Sequence, residues 1–263
     1  MKMTPGLHLF LVANSKGGAS KSIYAAETRV ACHLEGVPCR LVTFDKSTKT
    51  LDDIFRGTGI HQLAKQSGDI LIESFGLQME EADDAGELII ADMPAAITDD
   101  DNPILKSIAD SKLLREFSTI SLLIPVYPHT DDIEGAFKAL GAYKKIGINC
   151  ERGMIRAWRP DSTLPPWDSF PTYSDLARKF PVWECPCYLQ SMADMMQGLG
   201  RYAEYPALDK LPDYYIEHGP KLGYREKTKL TAAVSHLENA REAIRKHLLE
   251  PLRQGSASKA PSA

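Results

Sequence analysis

Cysteine is scarce in this 263-residue chain, with thiols only at Cys32, Cys39, Cys150, Cys185 and Cys187. The odd count and irregular spacing argue against a disulfide framework and point to a reducing compartment. Long hydrophobic runs are missing too. Nowhere do about 18 apolar residues follow one another, so no segment reads as a membrane span. No secretory signal is visible, because the N-terminus leads straight into a short apolar strand, and the expected location is cytoplasmic. The seven histidines are scattered and form no ligand pair. Nor is there a strong net charge: a formal −4 argues against a general nucleic-acid binder. No internal repeat is present.

What is present is an ordinary globular composition, 43% hydrophobic and 25% charged, on a chain long enough to bury a sizeable core. Leu7 to Ala13 is a short apolar run of the kind found in buried parallel strands. A Gly-rich turn follows, then a helical stretch from Lys21 to Leu34. Gly36 stands at its C-cap and Pro38 bars continuation. Cys39 to Phe44, Glu87 to Ala91 and Thr119 to Ile124 read as further strands. Asp131 to Ile146 reads as a helix, with Ile133, Phe137, Leu140 and Tyr143 at its spacing. This alternation predicts a single α/β domain over residues 1–253, with a mostly parallel central sheet flanked by helices.

Two stretches depart from that rhythm. Ala157 to Pro181 holds five prolines, Trp158, Trp167 and Tyr173, and reads as an irregular insertion. Thr228 to Leu252 reads as an amphipathic helix. Leu230, Val234, Leu237, Ile244 and Leu248 line one face, and Lys229, Arg241, Arg245 and Lys246 the other. From Gly219 onward there are nine Lys/Arg against four Asp/Glu, a net of +5, which leaves −9 for the rest of the chain. That helix packs on the domain, presents cations to DNA phosphates, or lies on anionic lipid. Pro251 and the polar residues after it, with no Phe or Trp anchor, speak against lipid. Residues 254–263 read as a disordered tail.

The stretch with the most chemistry is Ser15-Lys16-Gly17-Gly18-Ala19-Ser20-Lys21-Ser22, which follows the first strand and opens the first helix. Glycines let several backbone N–H groups converge on one concavity, and the helix N-terminus adds partial positive charge, so the turn suits phosphate. The usual pattern G-x-x-x-x-G-K-[ST] has Ser15 and Ser20 at its two glycines. Asp45 ends the second strand. Asp92 follows Glu87–Ala91 and precedes Met93-Pro94. Both acids stand at carboxyl ends of strands, the edge where open α/β sheets bind ligands.

With Lys16 ahead of the glycine pair, K-G-G-x-x-K-[ST] resembles the deviant Walker A motif of the ParA/MinD family of ATPases, and Asp92-Met93-Pro94 resembles that family's D-x-P. Thr43-Phe44-Asp45 resembles its D-x-D, with Thr43 in place of the first acid. The resemblance covers about the first 150 residues. It implies Mg²⁺ and ATP or ADP as cofactors and slow hydrolysis of ATP to ADP and phosphate. Lys16, Gly17, Gly18, Ala19, Ser20, Lys21 and Ser22 would cradle the phosphates. Ser22 and Asp92 would hold the metal, and Asp45 would position the attacking water. Lys16 would reach the nucleotide of a second subunit, which implies an ATP-dependent homodimer, with a separate adaptor protein and non-specific DNA as partners. Plasmid partition, positioning or conjugative transfer is the implied setting. The family's base-reading asparagine has no counterpart near Arg156 and Ala157. Two alternatives stay open: a metal or Fe–S carrier using Cys185 and Cys187, and a nucleotide-sensing adaptor with little turnover.

Overall fold

The computed structural model describes residues 6–45, 49–63, 68–95, 103–148, 152–159, 165–186, 194 and 205–254. Its centre is a seven-stranded sheet. In chain order the strands are β1 (His8–Val12), β2 (Cys39–Thr43), β3 (Ile60–Gln62), β4 (Leu88–Asp92), β5 (Thr119–Val126), β6 (Gly153–Arg159) and β7 (Val182–Pro186). They lie side by side in the order β3-β2-β4-β1-β5-β6-β7. Every pairing is parallel, so the sheet is wholly parallel rather than mostly so.

Parallel strands need crossovers, and these bring helices to both faces. The central strands are apolar on both sides for that reason. Along β1, Leu9 and Leu11 enter one core layer while Phe10 and Val12 enter the other. The first layer is closed by α3 (Asp69–Ala85), α4 (Pro103–Asp110), α5 (Thr130–Lys145) and α6 (Pro171–Lys179). The second is closed by α1 (Lys21–Leu34), α2 (Lys49–Phe55), α7 (Leu211–His218) and α8 (Tyr224–Ile244).

The Pro-rich stretch is more ordered than its composition suggests. β6 runs through Arg159, and α6 begins at Pro171, where a missing N–H costs a helix nothing. Trp167 stacks on Tyr173 with ring centroids 4.0 Å apart, and Tyr173 and Leu176 are buried. Residues 165–181, the described part of the stretch that follows β6, thus carry a short 3-10 turn and α6 ahead of β7.

The C-terminal helix starts four residues earlier than its periodicity predicts. It continues past Ile244 as a wider π-type stretch (Arg245–Leu249) and then α9 (Glu250–Gln254). Pro251 cannot donate to the carbonyl four residues back, and a widened turn accommodates that loss. Leu248 and Leu249, adjacent in sequence, are both buried there. Leu230, Leu237 and Ile244 pack on the domain as expected, and Val234 is half-buried against the same core. On the opposite face, Arg241 bonds Glu35 at 2.8 Å and Glu238 at 3.2 Å. Arg245 bonds Glu242 at 2.6 Å and also Glu250. Two of the four cations expected to face a polyanion are thus neutralised within the chain. No helix among the described residues is long and apolar enough to cross a membrane.

Candidate nucleotide site

Strand register assembles the site. Asp92, the last residue of β4, is level with Val12 of β1 on one side and Thr43 of β2 on the other. The phosphate loop leaves β1 directly after Val12, so it begins beside Asp92. Asn14 anchors it. Its side-chain amide donates to the carbonyls of Pro125 (2.8 Å) and Asp132 (3.0 Å), and its Oδ1 accepts from the Lys16 N–H at 2.8 Å. The Ser15 N–H donates to the Gly135 carbonyl at 3.2 Å. Gly135 lets α5 come this close: a Cβ there would stand 2.4 Å from Asn14 Oδ1. Neither Asn14 nor Gly135 was marked by sequence motif, and only their mutual approach shows their part.

The loop itself is open. A Cβ built on Gly17 or Gly18 would meet no atom within 4 Å, and Gly18 has φ +80°, which glycine adopts without strain. Ala19 is fully buried beneath the loop. Ser20 forms the N-cap of α1 with φ +59° and ψ +31°, in the left-handed region, at the position where the usual pattern has glycine. Its hydroxyl makes no capping bond to α1.

Of the residues expected to hold phosphate and metal, several converge. Lys21 is 6% exposed and its Nζ donates to the Lys16 carbonyl at 3.0 Å. Burial lowers its pKa below the usual lysine range, against the opposing charges of Asp92, Asp45 and Asp132. The Ser22 hydroxyl donates to Asp92 Oδ2 at 2.8 Å, and the Thr43 hydroxyl approaches the same oxygen at 3.5 Å. Asp92 is wholly buried, and its Oδ1 has no hydrogen-bond partner. Burial pushes its carboxyl up to about 7, although Ser22, Lys21 and Thr43 pull it down. A buried carboxylate oxygen left without a donor, next to a serine hydroxyl, suits a hydrated hard cation such as Mg²⁺. Asp45 follows β2 half-buried, and its N–H donates to Thr43 Oγ1 at 3.2 Å. Thr43, in place of an acid, thus links Asp45 to Asp92 as a neutral bridge.

Lys16 stands apart. It is exposed, and its Nζ forms an ion pair with Asp131 Oδ2 at 3.0 Å, at the start of α5. The bond and charge of Asp131 raise the Lys16 pKa, and those of Lys16 lower that of Asp131. Exposed pairs of this kind are weak and break readily. The Lys16 side chain therefore lies on the surface, pointing away from the loop that its backbone helps to form.

Arg156 does not line a base pocket. It is fully buried, with Nε and Nη2 donating to Glu27 at 2.7 and 2.8 Å. His236 Nε2 lies 2.7 Å from Glu27 Oε1. Burial alone would raise the Glu27 carboxyl, but the charges and hydrogen bonds of Arg156 and His236 outweigh it and hold the pKa below the usual carboxylate range. This cluster joins α1, β6 and α8. Cys185 is fully buried in the core layer around Trp183, and Cys187 lies outside the described residues. Among the described residues no cluster of three or more His, Cys, Asp or Glu could hold a metal ion.

No protein-family model matches the sequence, and no curated protein sequence does. Solved structures do match in shape. A ParA family ATPase from Chlorobium tepidum TLS aligns with TM-score 0.54 and 15% identity, over 88% of this chain and 99% of that one. The MinD cell division protein of Aquifex aeolicus aligns with TM-score 0.52 and 14% identity, over 90% and 96%. The septum site-determining protein MinD of Pyrococcus horikoshii OT3, complexed with Mg-ADP, aligns with TM-score 0.52 and 13% identity, over 94% and 98%. Among the proteins this chain resembles in shape are thus a ParA family ATPase and two MinD proteins, and it shares their α/β fold of a parallel sheet flanked by helices.

Proposed function

We propose that this chain is a Mg-ATP-dependent dimerisation switch that hydrolyses ATP slowly. The observation that carries the reading is the pairing of a preformed, open phosphate loop with the Ser22–Asp92 contact at its base. Lys21 and the loop amides would hold the phosphates. Ser22 and Asp92 would hold Mg²⁺, which when bound neutralises charge on the phosphate oxygens. Asp45 would orient the attacking water. The neighbour complexed with Mg-ADP supports the choice of ligand.

Lys16 supports the dimer. A cation that is exposed beside the loop, held only by a surface pair with Asp131, is free to move to phosphates presented by a second subunit. ATP then favours the dimer, and hydrolysis with loss of the γ-phosphate releases it. Partition, positioning or conjugative transfer of DNA, through an adaptor protein, is the setting in which such a switch acts. The ion pairs of Arg241 and Arg245 make the C-terminal helix a poorer DNA surface than its composition suggests, and favour packing as its main role. A second reading, a nucleotide-sensing adaptor with little turnover, is favoured by Thr43, which supplies a hydroxyl where an acid would add charge.

The test is the state of association with ADP and with a non-hydrolysable ATP analogue. Wild type dimerises with the analogue and Mg²⁺ but not with ADP, and Lys16→Ala stays monomeric with both. A wild-type chain that binds neither nucleotide by calorimetry removes the reading. Binding with no turnover, unchanged by Asp45→Ala, leaves the adaptor reading in its place.

A further inference from the structure

Ser20 sits at a point of backbone strain that its own helix does not relieve. Its φ of +59° is a left-handed value that few residues other than glycine adopt comfortably, and its hydroxyl caps nothing in α1. That hydroxyl lies 2.5 Å from the Tyr127 hydroxyl, across 107 residues of sequence. Tyr127 follows β5 at the carboxyl edge of the sheet, where its ring stacks on Trp158 of β6, with centroids 5.2 Å apart and planes 17° from parallel. Trp158 also meets a buried arginine. The Arg156 guanidinium lies 4.0 Å from the Trp158 ring centroid and is itself bonded to Glu27 of α1. Tyr127 is thus held by a stacked ring, and that ring is held by a buried ion pair.

We propose that Tyr127 is the positioning residue of the phosphate loop, its hydroxyl holding Ser20 in the left-handed conformation that a glycine would adopt unaided. Lys21 and Ser22 follow Ser20 directly, so the direction in which both side chains leave the loop depends on the Ser20 backbone. The tether takes over the work of the missing glycine. Ser20 belongs to the phosphate cradle, whereas Tyr127 and Trp158 do not and need not touch the nucleotide. The inference rests on the nucleotide reading given above.

A double-substitution cycle tests it, with Tyr127→Phe, Ser20→Gly and the pair, each titrated calorimetrically with Mg-ADP. Tyr127→Phe keeps the ring and its stack and removes one oxygen. It weakens Mg-ADP binding about three- to tenfold in the wild-type chain, the range that one net hydrogen bond supplies. In the Ser20→Gly chain the same substitution changes affinity by less than about twofold, because glycine holds the loop shape alone. A purely structural role for Tyr127 gives equal losses in both backgrounds and overturns the proposal, as does no loss in either. Thermal melts of the four proteins check folding, and a variant that melts early is replaced by Ser20→Ala, which removes the hydroxyl from the other side. Wild type that binds no Mg-ADP overturns the nucleotide reading and this tether with it. Binding with an additive cycle overturns the tether alone.

Discussion

Replacing Asp92 by asparagine separates what the residue costs the fold from what it does for the ligand. Its carboxyl is wholly buried and titrates at about 7. The folded pKa lies above the unfolded one, so between these values the native chain keeps a proton that the unfolded chain has released. Stability therefore falls as pH rises, until Asp92 ionises in the native state as well. From pH 5 to pH 7 this amounts to roughly 2.3 kcal/mol, two pH units at about 1.36 kcal/mol each less about 0.4 kcal/mol because Asp92 is half ionised in the native chain by pH 7. Asparagine has no such dependence. Its amide oxygen can accept from Ser22 and Thr43, and its NH₂ group replaces the orphaned Oδ1 at a cost of about 1–3 kcal/mol that is the same at every pH. The stability of Asp92→Asn minus that of wild type should thus be greater at pH 8 than at pH 5 by roughly 2–3 kcal/mol, or about 5–10 °C in melting temperature. Urea unfolding at the two pH values, without nucleotide or Mg²⁺, measures this difference directly. A stability difference that is the same at both pH values would refute the reasoning. The variant should also lose at least about tenfold in Mg-nucleotide affinity, because a neutral amide brings no negative charge to a divalent cation and holds it less tightly than a carboxylate. In wild type that affinity should rise between pH 6 and pH 8 as Asp92 ionises.

Other outcomes follow from the same structure. Glu27→Gln leaves Arg156 buried beside a neutral partner and should cost about 3–5 kcal/mol by denaturant unfolding, whereas Glu27→Leu with Arg156→Met should recover most of it. Wild type should lose the Glu27 contribution only in acid, as pH falls through a folded pKa held below the usual value, and Glu27→Gln should remove that part of the acid transition. Gly135→Ala puts a Cβ 2.4 Å from Asn14 Oδ1, so it should destabilise the chain by about 1–3 kcal/mol and weaken Mg-ADP binding; unchanged affinity would show that the Asn14 anchor does not set the loop. Duplex DNA of random sequence, titrated with ATP present, should bind weakly. A steep salt dependence that Arg241→Ala and Arg245→Ala abolish would restore the C-terminal helix as a polyanion surface.

The sequence alone determined the layered architecture and the place of the loop, because both rest on local pattern. Leu9, Phe10, Leu11 and Val12 are apolar without alternation since helices cover both faces of their strand, and that signal needs no partner to be read. Lys16 to Ser22 run from the turn after a strand into the first turn of a helix, so the place of that loop was legible from spacing. The helix Asp69–Ala85 was equally open to such a reading, with Leu71, Phe75, Met79 and Ala82 at helical spacing, but its acidic residues and Gly76 mask the stripe. Composition was a coarser guide than pattern. Five prolines suggested irregularity over 157–181, although Pro171 opens a helix; four cations suggested a polyanion face over the last helix, although Glu35, Glu242 and Glu250 lie within reach of two of them. The remaining features belong to tertiary structure only. Ser20 meets Tyr127 across 107 residues, Arg156 meets Glu27 across 129, and His236 meets Glu27 across 209. A periodic sequence records which way a side chain faces, but the partner it meets there is chosen by strand order and helix docking, and those arise only when the whole chain folds.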